Sequence, residues 1–169
     1  MFANVPRLAS REHSSMLKKV AKASARNRGG RFAIVASKYN ARYVDTMLRE
    51  ATAVLKAAGS EEIKVVRVPG AFEVPVVAAR LAKNVPSYSA IICLGVILRG
   101  ATTHAQSISD VVSFALGTIA LQADIPVIHE VLLLENEEQA RERCLSKQHN
   151  RGAEAAQTAL EMDRLMKAI

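Results

Sequence analysis

The chain has 169 residues, of which half are hydrophobic and none is tryptophan, a size and composition that fit one globular domain with a substantial core. No apolar stretch approaches the ~20 residues needed to cross a bilayer, and the two cysteines, Cys93 and Cys144, form neither a metal-binding nor a disulfide pattern. Composition therefore argues against a membrane protein and a disulfide-stapled secreted domain, and predicts a cytoplasmic protein with reduced thiols and a net charge of +7.

The positive charge is concentrated in residues 1–30. This segment holds seven Lys and Arg residues and one acidic residue, Glu12, which leaves a net charge of +1 for residues 31–169. We interpret residues 1–30 as a mobile, basic N-terminal extension. Transit peptides share its acid-poor composition, so organelle targeting stays open, and contact with an anionic surface is a third alternative. The near-neutral body predicts neither a nucleic-acid nor a membrane partner.

Short apolar strands alternate with helices from Arg31 onward. Strands are predicted at 32–36, at 63–68, from 90 to the loop at 98–106, and at 125–133; helices are predicted at 44–58, 72–82, 107–122 and 137–145, with a last helix after the loop at 147–152. This alternation predicts an α/β fold class, a flavodoxin-like three-layer α/β/α arrangement around a four-stranded parallel sheet. We expect residues 31–169 to form a single domain. The last helix carries a predicted apolar stripe of Ala155, Ala159, Met162, Met166 and Ile169.

Four loops follow the strands, at 37–40, 69–73, 98–106 and 133–136, and in a parallel sheet they meet at one rim. Tyr39 offers a ring for stacking on a planar heterocycle, and Glu73 offers a hydrogen-bond acceptor. Gly100–Thr103 runs into a helix start, which suits a phosphate, and His104 can transfer protons near neutral pH. The alternatives are a packing role for Tyr39, a helix-start carboxylate for Glu73, and a capping or packing role for His104.

Other motifs are missing or ambiguous. Neither G-x-G-x-x-G nor a Walker A sequence is present, and His13, His129 and His149 lack metal-ligand spacing, so we expect no cofactor and no metal. Cationic residues recur along the helix at 137–145 and its exit, which indicates either a solvated face paired with glutamates or an anion clamp with Arg143 as its best member.

Three separated motifs nevertheless occur in order: V-P-G-A-F-E at Val68–Glu73, R-G-A-T-T-H at Arg99–His104 and E-Q-A-R-E-R at Glu138–Arg143. With these motifs, the chain from Arg31 to the C-terminus resembles the lumazine synthase (6,7-dimethyl-8-ribityllumazine synthase) family of riboflavin biosynthesis.

The resemblance implies a role for each matching position. His104 matches the proton-transfer histidine. The positions implied to bind the pyrimidinedione substrate are Tyr39, Ala71, Phe72, Glu73, Val96, Ile97, Leu98 and His129. Those implied to bind phosphate are Ala101, Thr102 and Arg143. The family pattern implies that His129 and Arg143 complete the site of an adjacent subunit.

The implied reaction condenses 5-amino-6-(D-ribitylamino)uracil with 3,4-dihydroxy-2-butanone 4-phosphate and releases phosphate and water, without a cofactor. The implied assembly is a homo-oligomer, either a homopentamer or a sixty-subunit icosahedral capsid.

Departures from the family pattern motivate an alternative. Ala105 and Gln106 replace an aromatic and an acidic residue after the histidine, and Gln106 cannot stabilise an imidazolium by charge. His129 replaces a phenylalanine. The alternative is a low-activity or non-catalytic lumazine- or flavin-binding paralogue that keeps the ring or shell. An unrelated flavodoxin-like binding module is the third hypothesis.

Overall fold

The computed structural model describes residues 29–169. Its strands are β1 (Arg31–Ser37), β2 (Glu62–Val68), β3 (Ala90–Leu98) and β4 (Val127–Leu134), and its helices are α1 (Ala41–Ala57), α2 (Val74–Leu81), α3 (His104–Ala123), α4 (Glu137–Ala140) and α5 (Arg151–Ala168). A 3₁₀ turn, Ala71–Glu73, leads into α2, and a π-helical segment, Arg141–Leu145, follows α4. Apart from Gly29 and Gly30, the predicted basic extension lies outside the described residues. No helix within residues 29–169 has the length and apolarity that a membrane crossing requires.

All four strands are parallel, in the order β2-β1-β3-β4. In the middle of the sheet, Val35 of β1 lies between Val66 of β2 and Cys93 of β3, and Cys93 in turn lies opposite His129 of β4. Parallel strands this apolar need cover on both faces, and β1 is buried from Phe32 to Ser37. The predicted four-stranded parallel sheet is confirmed, while the strand order is a finding of the structure.

Alternate residues of the central strands belong to two hydrophobic layers. Phe32 and Ile34 pack with α1 and α5 on one face, whereas Ala33 and Val35 pack with α2 and α3 on the other. The result is the predicted three-layer α/β/α fold. On the first face, α5 lies so close to α1 that a Cβ at Gly152 would collide with the backbone of Met47. Only glycine permits this approach.

The boundaries of α3, of the helix predicted at 137–145 and of α5 are among those that differ from prediction. The helix α3 begins at His104, not near Ser107, and the carbonyl oxygen of Thr103 accepts from the Ser107 amide at 3.1 Å; polar residues are tolerated in a first helical turn, so they did not mark a loop. The helix predicted at 137–145 is α-helical only to Ala140. Ile169 is 90% exposed because α5 ends at Ala168, so the predicted apolar stripe does not extend to the C-terminus.

Candidate functional site

The carboxyl ends of β1 and β3 are neighbours in the sheet, and the space outside them is the candidate ligand crevice. The chain leaves β1 towards β2 on one side and leaves β3 towards β4 on the other, which is the topological switch point at which open α/β sheets bind ligands. Asn40, in a left-handed conformation with φ 56°, spans this point, since its Nδ2 donates to the Val96 carbonyl oxygen at 2.8 Å. The carboxyl ends of the strands therefore lie at one rim, as the parallel sheet predicts, and the Asn40 side chain links the loop after β1 to the end of β3.

The loops after β1 and β2 bring Tyr39 and Glu73 side by side over Gly70. A Cβ at Gly70 would lie 2.9 Å from Cδ2 of Tyr39 and 3.0 Å from Oε2 of Glu73, so glycine is required for this packing. Tyr39 is also anchored through its amide, which donates to the Pro69 carbonyl oxygen at 3.0 Å. Tyr39 is 69% exposed and Phe72 is 57% exposed, so both side chains are accessible to a ligand.

Glu73 has a structural role at this position. Its Oε2 accepts from the Gly70 amide at 2.8 Å, which is the helix-start role that the sequence offered as an alternative. The carboxylate is nevertheless only half-buried, and its bond to Gly70 fixes it beside Tyr39. A fixed, accessible carboxylate can accept hydrogen bonds from the hydroxyl or ring N–H groups of a ligand.

The last three residues of β3 are Val96, Ile97 and Leu98. The side chains of Val96 and Ile97 are buried in opposite hydrophobic layers, and all three residues pair with β4 from Leu132 to Leu134. Their side chains therefore belong to the core. What this strand end can offer a ligand in the crevice is its backbone.

The turn after β3 leads directly into α3. Ala101, Thr102 and His104 are exposed there, and the Thr102 hydroxyl accepts weakly from the His104 amide at 3.4 Å. The amides at the start of a 20-residue helix carry a positive partial charge and suit an anion. His104 is the first residue of α3, so it belongs to the same helix start.

Gln106 takes part in a network that the sequence did not predict. Its Oε1 accepts from Arg99 and its Nε2 donates to Asp110, each at 2.7 Å, while Arg99 also pairs with Glu135 at 2.9 Å. No bond joins Gln106 to His104 among the described residues. The side chain of Gln106, where the family pattern has an acidic residue, is thus engaged in bonds that connect the end of β3, the start of α3 and the end of β4.

His129 lies elsewhere, as the third residue of the eight-residue strand β4. It is five residues before Leu134, the end of the strand, hence about 16 Å below the rim at ~3.3 Å per residue. Its Nδ1 accepts from the Val131 amide at 3.2 Å, and its Nε2 lies 2.8 Å from Ser113 Oγ. Because Nδ1 is an acceptor, Nε2 carries the proton and donates to Ser113. Burial lowers the pKa of His129, which favours the neutral ring.

Arg143 lies on the π-helical segment and is exposed. The cationic group consists of Arg141, Arg143, Lys147 and Arg151. Arg141 pairs with Glu137 at 2.9 Å, and Arg151 pairs with Glu154 at 2.8 Å and with Glu130 at 3.2 Å. Arg143 forms no ion pair within residues 29–169. Neither does Lys147. The interpretation as a face paired with glutamates therefore holds for Arg141 and Arg151, whereas the anion clamp with Arg143 as its best member stays a prediction.

A family model described as 6,7-dimethyl-8-ribityllumazine synthase matches residues 29–167 of the chain. The chain belongs to the lumazine synthase family. The resemblance read from the three motifs is thereby confirmed, and the fold agrees with it. Membership supports a role in riboflavin biosynthesis in general, in a family of transferases that act on small molecules and form oligomers.

In this member of the lumazine synthase family, the sequence-predicted residues fall into two separate sets. The rim set comprises Tyr39, Ala71, Phe72, Glu73, Val96, Ile97, Leu98, Ala101, Thr102 and His104. The second set comprises His129, within β4, and Arg143, on the π-helical segment that follows α4. Within residues 29–169, no three His, Cys, Asp or Glu side chains are grouped as metal ligands.

Proposed function

We propose that this lumazine synthase family member is an active 6,7-dimethyl-8-ribityllumazine synthase. It condenses 5-amino-6-(D-ribitylamino)uracil with 3,4-dihydroxy-2-butanone 4-phosphate and releases phosphate and water. The observation that carries the proposal is the rim set itself: an exposed aromatic ring, a fixed carboxylate, a helix start and a histidine lie around one crevice in a chain of this family.

The pyrimidinedione is assigned to the crevice between Tyr39 and the end of β3. The exposed rings of Tyr39 and Phe72 support stacking on a flat heterocycle, and the strand end at 96–98 supplies backbone groups for the ring edge. Glu73 and the adjoining Ala71 are assigned to the ribityl chain, since a carboxylate accepts bonds from its hydroxyl groups. His129 contributes a neutral ring from a neighbouring subunit.

The phosphate is assigned to the amides at Ala101 and Thr102 and to Arg143 of an adjacent subunit. A helix start and a guanidinium together provide the charge-assisted bonds that a phosphate ester needs. The separation of His129 from the rim supports a site shared between subunits. Exposed apolar side chains on α3, among them Phe114 at 77% exposure, support an oligomer, and we propose a homopentamer as its unit, either alone or assembled into a sixty-subunit capsid.

The proposed reaction joins the substrates through a Schiff base between the uracil's amine and the ketone, which forms with loss of a first water. Loss of phosphate, ring closure and loss of a second water then complete the lumazine. His104 transfers protons in the elimination and cyclisation steps, for which an imidazole is suited near pH 7. Arg143 and the start of α3 stabilise the charge of the departing phosphate. We place this reaction in the cytoplasm.

The deciding experiment supplies both substrates to the purified full-length protein and follows formation of the lumazine chromophore by absorbance. We expect turnover at pH 7. Absence of the chromophore at every pH from 6 to 9 would contradict the proposal. In that event, binding of the product lumazine, measured by fluorescence, would support the alternative of a non-catalytic paralogue. The observation that favours this alternative is Gln106, which is uncharged and is bonded to Arg99 and Asp110.

A further inference from the structure

A buried carboxylate, Glu130, lies on β4 in contact with Arg151. It is the residue after His129 on β4, so it faces the α5 layer while His129 faces α3. Its side chain is only 12% exposed, and its Oε2 lies 3.2 Å from Nε of Arg151. Neither of these two atoms completes a hydrogen bond with any described residue, and both are buried. The carboxylate is therefore held by electrostatic attraction to the Arg151 guanidinium, without a well-formed hydrogen bond between these two atoms.

The groups that face Glu130 come from three elements. The helix α5 contributes Arg151 and Glu154, which also pair with each other at 2.8 Å. The π-helical segment contributes Arg143 and the buried thiol of Cys144, and β3 contributes only the apolar Leu94, which lies opposite Glu130 in the sheet. Arg143 is near enough for its charge to act on the Glu130 carboxyl.

The charge of this cluster depends on one proton. With Glu130 ionised, its carboxylate and that of Glu154 balance the guanidinium groups of Arg143 and Arg151. With Glu130 protonated, the same four side chains carry one net positive charge. Burial raises the pKa of Glu130 to about 7, against the opposing effect of Arg151 and with a smaller upward contribution from Glu154. The switch between the two charge states therefore falls in the pH range where enzymes work.

We propose that Glu130 is a positioning residue that sets how tightly the Arg143 patch binds phosphate. When Glu130 is ionised, it neutralises Arg151 and weakens the positive field at Arg143. When Glu130 is protonated, the charge of Arg151 adds to that of Arg143, and an anion binds more tightly. Glu130 acts through these arginines and does not touch the substrate. The inference rests on the proposed function only in assigning Arg143 to phosphate.

The test measures binding of inorganic phosphate to the full-length assembled protein by calorimetry, at pH 6 and pH 8. At pH 8 we expect Glu130→Gln to lower the Kd about tenfold relative to the wild type, since one opposing charge is removed from a buried cluster. At pH 6, where the wild-type carboxyl is mostly protonated, the two proteins should agree within about twofold. Comparison at each pH cancels the ionisation of phosphate itself.

Glu161→Gln is the matched control. Glu161 pairs with Arg164 at 2.6 Å on the same helix, about 15 Å from Arg151 at 1.5 Å per residue, beyond the screening length of ~8 Å at physiological salt. It should match the wild type at both pH values. Glu130→Met, uncharged and of similar length, replaces the glutamine variant if that variant does not assemble, and the same result is expected.

An equal Kd for the wild type and Glu130→Gln at pH 8 would overturn the inference, as would a difference of the same size at pH 6. Phosphate binding unaffected by Arg143→Ala would also overturn it, because the bound site would then lie elsewhere. The measurement does not need turnover. A protein that binds phosphate as expected but forms no lumazine would refute the proposed function and leave the role of Glu130 standing.

Discussion

At the start of α3, His104 is exposed, and its ring forms no hydrogen bond with the other described residues. We expect His104→Ala to lower kcat about 100-fold while changing KM for either substrate less than about threefold, because the groups that position the substrates remain. Steady-state kinetics of lumazine formation measure both constants. His149→Ala, in the exposed loop before α5, is the matched control and should behave as the wild type. An unchanged kcat for His104→Ala would remove this residue from the mechanism.

Arg143 and Arg141 are two residues apart on one segment but differ in their surroundings. Arg141 is bound to Glu137 at 2.9 Å, whereas Arg143 has no acidic partner within residues 29–169. We expect Arg143→Ala to raise KM for the phosphate-bearing substrate at least about tenfold, the usual effect of losing a charge-assisted contact. KM for the pyrimidinedione should stay within about twofold. Arg141→Ala should alter neither, and equal losses for both substrates in Arg143→Ala would contradict its assignment.

Between elements, the contact of α5 with α1 depends on Gly152. Replacement by alanine should destabilise the fold by about 2–4 kcal/mol, because the added Cβ must push against the backbone of Met47. Gly117→Ala is the matched change in a helix where a Cβ has no atom within 4 Å, and it should raise stability by ~0.5–1 kcal/mol. Urea unfolding measures both values. Similar values for the two variants would show that the two helices are not closely packed at Gly152.

The elements themselves were largely predictable because their signals are local. Each strand is an apolar run bounded by turn residues, such as Pro69 and Gly70 after β2. The start of α3 was predicted wrongly because Thr103 and His104 are polar and look like loop residues, although a first helical turn accepts them. Strand order had no local signal, since β1 and β3 pair across more than 50 residues of chain, from Phe32 to Ala90.

The rim set could be predicted because all carboxyl ends of a parallel sheet lie on one side. The network of Arg99, Gln106 and Asp110 could not, because it depends on the angle at which α3 leaves β3. The bond between Ser113 and His129 joins a helix to a strand, and no spacing in the sequence indicates it. Glu130 was also missed, since one acidic residue in an apolar strand does not reveal which layer it faces.

For the whole molecule, the start of the first strand is held by contacts within the described residues. The Gly30 carbonyl oxygen accepts from the Glu61 amide at 2.9 Å, and Arg31 pairs with Glu62 at 2.6 Å. These contacts do not involve residues 1–27. Deletion of residues 1–27 should therefore leave the melting temperature, the mass of the assembly and the rate of lumazine formation unchanged. Light scattering and kinetics measure the last two.

A C-terminal deletion of the same length, residues 143–169, is the matched control and should not yield a folded protein, because it removes all of α5. A lower assembly mass after the N-terminal deletion would show instead that residues 1–27 are part of the oligomer.

The seating of Gly152 on Met47 also has a consequence during synthesis. The helix α1 is complete at Ala57, but α5 begins at Arg151, so at ~5–20 residues per second roughly 5–20 s pass before the ribosome delivers its partner. Throughout that interval the flank of α1 around Met47 has no native cover. The nascent chain thus exposes an apolar, aggregation-prone surface for most of its translation. We therefore expect chaperone supply and elongation rate, rather than final stability, to govern the yield of folded protein in the cell.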